Sequence, residues 1–508
     1  MGFIVALSIY AQVDETHVRL TNLPHVYINT FTGNSITSKT NYVLARMWYV
    51  DEQDSVAFYD SLEIRGRGNS TWGLAKKPYK IKFQEKEKFL GKGYAKAKKW
   101  TLLANHGDKT LIRNALTRQL GEWLGLKFNP AAKFIDLTLN NEYVGNYQIS
   151  DQIDVRPHRV NVTEQDDVIT EESNITGGYL LEADGFKDFQ NGKTGFYTPV
   201  KAVPIRIHYP EDDNIISAQY KQIRNYTYDL EQRLFGKDFK DATEGYRPLV
   251  DSVSLANWYL ATEISGNIDG FFSTFFYKDR DDDRFFWGPL WDYDIAYGND
   301  SRKGSTSRQL MRDVGYGILR DWIVRMWEDP WFTTLIARRF NKAVNNNLEN
   351  YMQEQIDSLV SLLSESQQLN YKRWGIDQRT LRERVLHSTY NEYINDLRDY
   401  VTKHIAYINE VLSPYVPDES DEPVDAIESP QPAETDYALA YNLSGDYLHF
   451  GAEDPAALTF MAHLYDGAGR LVRTFRASEG CSLQRLPRGL YTVSWTIQGR
   501  QRSVKFIK

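Results

Sequence analysis

One cysteine, Cys481, in 508 residues rules out both an internal disulfide framework and a zinc site built from several thiolates. Histidines at metal-ligand spacing are missing too: His106 and His158 stand alone and no HExxH occurs, so a zinc hydrolase has no support. Neither the GxSxG elbow of esterases nor the GxxxxGK[ST] phosphate loop is present, and Gly66-Arg67-Gly68 is only a fragment of GxGxxG. Basic residues are not in excess. Sixty of them against 68 acidic ones give a net charge of −8, which argues against a general polyanion-binding surface and against nucleic acid as partner. No apolar run approaches the roughly 20 residues of a membrane span.

Aromatic side chains are abundant, with 33 Tyr, 24 Phe and 12 Trp. Large aromatic cores account for most of them, and those with polar edges also suit ring-shaped ligands such as purines or sugars. At the N-terminus, the run Phe3 to Ala11 is too short to span a bilayer and ends in a small residue followed by Gln12. Residues 1–19 are read as a truncated or altered secretory signal lacking its basic start, in preference to a buried first strand. The protein is accordingly expected to be exported, to the periplasm, the cell surface or the medium.

From Leu23 the stretches LPHVYINTFTG, NYVLARMWYVD and SVAFYDSLEIRGRG alternate apolar and polar residues between Gly, Asn and Asp. That pattern predicts antiparallel strands and a β-rich N-terminal lobe. The segment RGRGNSTWGLAKKPYKIKF follows, a Gly-containing turn leading into a strand with Lys80 and Lys82; it suits an anion and equally suits a solvated basic hairpin. Helical spacing then sets in with Leu111, Ala115, Leu116, Leu120, Trp123 and Leu124, flanked by Asp108 as cap or turn and Gly125 as stop. A hairpin turning at Asn140-Asn141-Glu142 runs into Asp151 and Gln152. Glu211 to Trp258 reads as largely helical, and from Met311 to about Leu412 little but helix is expected, including the run beginning LRERVLHS.

The chain's chemistry concentrates between Glu263 and Asn299, on an expected strand-turn-strand pattern. Asp269 sits where a helix gives way to an aromatic strand, and Asp292 and Asp294 stand two apart in GPLWDYD. On an extended chain the latter two share a face, whereas a turn splays them. Paired carboxylates are how Mg²⁺ is held, with water and phosphate oxygens completing the octahedron, and a third acid apart from the pair can take a hydroxyl proton. Any one Asp beside Gly is usually a turn or cap. Asp281-Asp282-Asp283 lacks the Gly and Glu of a calcium loop and reads as a solvated hairpin end.

Three blocks together resemble the spore-coat protein H (CotH) kinases, an atypical branch of the protein-kinase-like fold. They are RGRGNSTWGLAKKPYKIKF, then KKWTLLANHGDKTLIRNALTRQL with its hairpin, then GNIDGFFSTFFYKD with GPLWDYDIAYGN. The resemblance implies an α+β, two-lobed kinase-like domain over residues 20–412 and transfer of phosphate from ATP, with Mg²⁺ or Mn²⁺, to hydroxyls of a protein substrate. On that analogy Asp269 is the catalytic acid, Asp292 binds metal with Asp294 in support, and Lys80 or Lys82 pairs with phosphate. Arg67 and Asn69 lie near the phosphates, and Asp151 or Gln152 near the nucleotide in a hinge-like segment. The asparagine that holds a second metal in ordinary kinases has no counterpart in Gly270-Phe271-Phe272-Ser273-Thr274.

Residues 413–436 are Pro- and acid-rich and are read as a linker, and 437–508 as a small β-sandwich. The segments HLYDGAGRLVRTF, LPRGLYTVSW and SVKFIK resemble C-terminal sorting domains of type IX secretion, which implies an address read by secretion machinery or a cell-surface attachment. Two further functions compete with the kinase. One is a surface or structural binding protein that keeps the fold without catalysis, motivated by the absent second-metal asparagine. The other is a glycan-acting hydrolase using Asp269 and Asp292 as an acid–base pair, motivated by the aromatics.

Overall fold

Alternation in the N-terminal third does build strands, and seven of them close on themselves in the computed structural model. These are β1 (His25–Thr30), β2 (Val43–Val50), β3 (Val56–Gly66), β4 (Tyr79–Glu87), β5 (Ala97–Leu103), β6 (Ala132–Leu139) and β7 (Glu142–Asp151). Their order round the barrel is β1-β2-β3-β4-β5-β7-β6. All but one of the pairings are antiparallel; β6 returns beside β1 in parallel, with His25 opposite Asp136 and Ile28 opposite Leu139. Inward residues such as Leu62, Ile64, Ile81, Phe83, Trp100 and Ile149 fill the barrel with one apolar cluster. The expected β-rich lobe is therefore a closed barrel, in which no strand edge is left to recruit another chain.

The structure describes residues 17–91, 94–165, 175–184 and 192–416, and in the C-terminal region 438–442, 447–451, 461–466, 470–478, 481–483, 486–487, 489–497 and 500–507. Two units are distinguished, Met1–Val424 and Asp425–Lys508. Most of the signal-like segment and nearly all of the Pro- and acid-rich stretch lie outside the described residues.

The helix Arg113–Leu124 crosses between β5 and β6 and ends at Gly125, whose φ of +90° lets its N–H reach the Glu122 and Gly121 carbonyls. Further along, β8 (Tyr179–Ala183), β9 (Gly195–Tyr197), β10 (Pro204–Tyr209), β11 (Thr274–Lys278) and β12 (Phe286–Trp287) form a second, antiparallel sheet in the order β12-β11-β8-β10-β9. Helices Ser217–Phe235 and Ser252–Ser265 precede β11, and six more lie between Met311 and Leu412. The helices pack with the inner side of this sheet in one large apolar cluster that includes Tyr259, Phe271, Trp287, Trp322, Phe340 and Ile405. Among the described residues no helix is long and apolar enough to cross a membrane.

Two expectations need correction. LRERVLHS is not helical: the last helix spans Tyr390–Leu412 and starts at a capping box, in which Thr389 and Glu392 satisfy each other's backbone N–H groups. Glu383, inside that stretch, is buried and accepts from the Thr380 and Leu381 N–H groups, which fixes a turn. Nor is GPLWDYD a strand. Asp292 has φ +69°, and the segment is held by side-chain bonds, Tyr293 N–H to Asn114 Oδ1 at 2.8 Å and the Tyr293 hydroxyl with that of Thr262 at 3.0 Å.

In the second unit, β13 (Ala438–Asn442), β14 (Tyr447–Gly451) and β17 (Cys481–Ser482) form one sheet, and β16 (Leu471–Arg476), β15 (Met461–Asp466), β18 (Leu490–Ile497) and β19 (Arg500–Ile507) form another in that order. Leu448 and Cys481 from the first share a buried cluster with Leu464, Phe475, Val493 and Trp495 from the second.

Candidate active site

The two acidic loops meet at the end of one helix, which leads into the Asp269 turn and is tied to the Asp292 loop by a side chain. Helix Ser252–Ser265 starts at Asp251, whose side chain accepts from the Ser254 N–H at 2.8 Å, and ends at Gly266 with φ +57°. In the turn that follows, Asn267 Oδ1 accepts from the Asp269 N–H at 3.2 Å, and Asn267 Nδ2 donates to the Asp292 carbonyl at 3.3 Å. One amide thus ties the Asp269 turn to the Asp292 loop. Only glycine fits after Asp269, since a Cβ at Gly270 would lie 2.3 Å from Thr262 Cγ2 and 2.9 Å from the Asn267 carbonyl.

A second fixture comes from the HGDK stretch. Asp108 accepts from the Thr110 N–H (2.9 Å), the Thr110 hydroxyl (2.6 Å) and the Arg113 N–H (2.9 Å), and pairs with the buried Arg113 guanidinium. Arg113 Nε reaches on to the Ala296 carbonyl at 3.0 Å. Asn299 Nδ2 bonds the Gly107 carbonyl at 2.8 Å and the Asp294 carbonyl at 3.0 Å. The block that sequence reading takes for a helix start therefore clamps the Asp292–Asn299 loop.

Between the barrel and these loops runs a cleft of about 680 Å³, open mouth included. Leu74, Pro78, Leu103, Pro130 and Leu290 give its walls apolar surface, and polar side chains among the lining include Lys76, His106 and Arg118 besides Arg67, Asp292 and Asp294. The Arg67 guanidinium lies over the Trp291 ring at 5.5 Å from its centroid. Burial lowers its pKa while Asp292 and Asp294 support its charge. Water reaches the Asp292 side chain through the cleft, yet the protein crowding round it raises its pKa; Arg67 opposes the rise, while Asp269, Asp184 and Glu182 add to it. Asp294, 9% exposed, is pushed up to about 8 by burial, then by Asp292 and Asp108. Asp269 is likewise raised by burial and held down by Arg302.

Other expected residues are distributed as follows. Lys80 is on the outer face of β4, alternating with inward Tyr79 and Ile81; burial, then Arg65, Lys99 and Arg67, bring it down to about 7. Lys82 pairs with Glu63 at 2.6 Å. Asn69 is exposed at the turn, and Thr71 lines the cleft. Asp151 is buried away from the cleft lining and engaged by Arg159 Nε at 2.7 Å and the Ala131 N–H at 3.0 Å. Gln152 is half-buried, its Oε1 without a partner.

Sequence reading passed over several residues. Lys76 lines the cleft but spends its N–H donors on the Ala104 and Asn146 carbonyls and on Asn370 Oδ1. Glu182 and Asp184, at the end of β8, bring further negative charge towards Asp292. Gln148 and Ser150 line the cleft from β7, and alternation with the inward Tyr147 and Ile149 was the available signal.

Among the described residues no three acid, thiol or imidazole groups form a ready-made metal cage. A divalent ion nonetheless suits Asp292 and Asp294: Asp292 raises the pKa of Asp294, and Asp269, Asp184 and Glu182 raise that of Asp292, a crowding of negative charge that a bound cation relieves. No curated protein matches the chain. Residues 64–408 match the family described as "CotH kinase protein", and since this stretch carries the barrel from Ile64 onward, the cleft and all three acids, the chain belongs to the CotH kinase family.

Proposed function

We propose that the protein is an exported ATP-dependent protein kinase that phosphorylates Ser or Thr hydroxyls of secreted or surface proteins. The barrel corresponds to the small lobe of a kinase-like fold, and the region beyond it to the large lobe. The observation that carries the reading is Asp269 and Asp292, bracketed by Asn267, beside a cleft that Arg67 enters. Arg67 and Lys80 attract the phosphates, the first with a planar fork and the second from beside Arg65, Lys99 and Arg67, whose mutual repulsion an anion relieves. Asp292 and Asp294 would hold Mg²⁺ or Mn²⁺, which when bound neutralises charge on the phosphate oxygens. Asp269 takes the proton as the acceptor oxygen bonds to the γ-phosphorus and the bond to the ADP oxygen breaks. The second unit serves as an export or surface address.

The test is incubation with labelled ATP, Mg²⁺ or Mn²⁺ and a mixture of secreted proteins. Label is expected on protein hydroxyls with the wild type and at least about 100-fold less with Asp269→Asn, in keeping with loss of a general base. Equal labelling by the variant would overturn the assignment of Asp269. No thermal shift with any nucleotide and metal would favour the non-catalytic binding protein.

A further inference from the structure

Gln148 is 1% exposed, lines the cleft, and has neither Nε2 nor Oε1 bonded to any group of the protein. Both ends of a buried carboxamide left open are rare, because each forfeits its bonds to water and gains nothing in return. Strand β7 fixes which way the residue faces. Tyr147 and Ile149 point into the barrel, whereas Gln148 and Ser150 face the cleft. In register, Gln148 lies opposite Leu103 on one neighbour and Phe134 on the other, and Leu103 belongs to the apolar wall of the cleft. An amide in such a wall has no charge to balance and only a donor and an acceptor to offer, side by side.

We infer that Gln148 is a specificity-determining residue that reads the edge of the nucleotide base, accepting from the exocyclic amine of adenine and donating to the adjacent ring nitrogen. The inference rests on the nucleotide-binding reading of the cleft. Its chemistry is that of a carboxamide pairing two-pronged with adenine, a match between adjacent donor and acceptor pairs. The apolar walls contributed by Leu74, Pro78, Leu103, Pro130 and Leu290 supply surfaces for a flat ring. Arg67, Asp292 and Asp294, also in the lining, provide polar groups for the phosphates and their metal.

Two substitutions test this in the full chain, read by thermal shift and by titration with Mg²⁺ and ATP, GTP or inorganic tripolyphosphate. Gln148→Met removes both unpartnered atoms at similar volume. Without ligand it is expected to melt at or above the wild-type temperature, to bind ATP roughly 10- to 100-fold more weakly, and to keep its response to tripolyphosphate. Gln148→Glu offers acceptors only, so it is expected to lose ATP and gain GTP, whose ring N–H and amine are both donors. A Gln148→Met protein that melts lower while binding ATP undiminished makes Gln148 a packing residue and overturns the inference, leaving the kinase reading intact. A wild type that responds to no nucleotide overturns the nucleotide reading itself, and the inference with it.

Discussion

Arg302 Nη2 lies 2.7 Å from Asp269 Oδ1, while the same guanidinium grips the buried Asp300 through Nε at 2.9 Å and covers the Tyr316 ring at 4.8 Å. Anchored on two sides, it opposes the burial that raises the Asp269 pKa. Removing the cation therefore raises that pKa further, and the ionised, proton-accepting form survives only at higher pH. Arg302→Met is expected to move the acidic limb of the kcat/KM profile upward and to cost about 10-fold or more at pH 6, less at pH 8. An unmoved limb would show that Arg302 does not tune Asp269.

Gly270→Ala probes placement of the acid. The added methyl meets Thr262 Cγ2 and the Asn267 carbonyl, so the turn carrying Asp269 must shift. A displacement on the order of 1 Å is worth roughly 100-fold in kcat. On the proposed reading, in which Arg67 and the cleft walls bind the nucleotide, the nucleotide-induced thermal shift is expected to stay. Loss of both in equal measure would mean that the turn supports the whole cleft.

Asp108→Ala leaves the Arg113 guanidinium buried without its charge partner and frees two N–H groups. Breaking such a pair costs about 3–5 kcal/mol. Denaturant unfolding of the first unit should show that loss, and the clamp on the Ala296 side of the acidic loop should loosen with it.

Glu263 gives a pH dependence of opposite sign to most carboxylates. Wholly buried, with the Tyr259 hydroxyl at 2.5 Å and the Met311 N–H at 2.9 Å, it has its pKa raised to about 7 by burial. The folded state holds the proton longer than the unfolded chain, so stability is greatest below the ordinary glutamate range and falls as pH rises towards 7. The difference is on the order of 3 kcal/mol at about 1.4 kcal/mol per pKa unit. Glu263→Gln should remove that decline, and its melting temperature should gain on the wild type between pH 5 and pH 8.

Local structure was legible where one residue's conformation decides it. Asn140 and Asn141 take the left-handed turn of the β6–β7 hairpin with φ of +52° and +63°, and Gly125 stops its helix. Period-two alternation predicted the barrel strands. The acids were legible as types in a distinctive segment. Their geometry was not, because the Asp292 loop owes its shape to Asn114 and Arg113, far away in sequence. Arg302 on Asp269 and Glu182 with Asp184 near Asp292 are tertiary meetings of the same kind.

The parallel pairing of β1 with β6 also dictates an order of assembly. His25 must wait for a partner, Asp136, made more than a hundred residues later, and the intervening hairpins can form first from neighbours already in reach. Until β6 arrives, β1 and the strands beside it are an open ribbon with a bare edge. At that stage the bare edge is open to pairing with another copy of the chain, a hazard that closure by β6 removes.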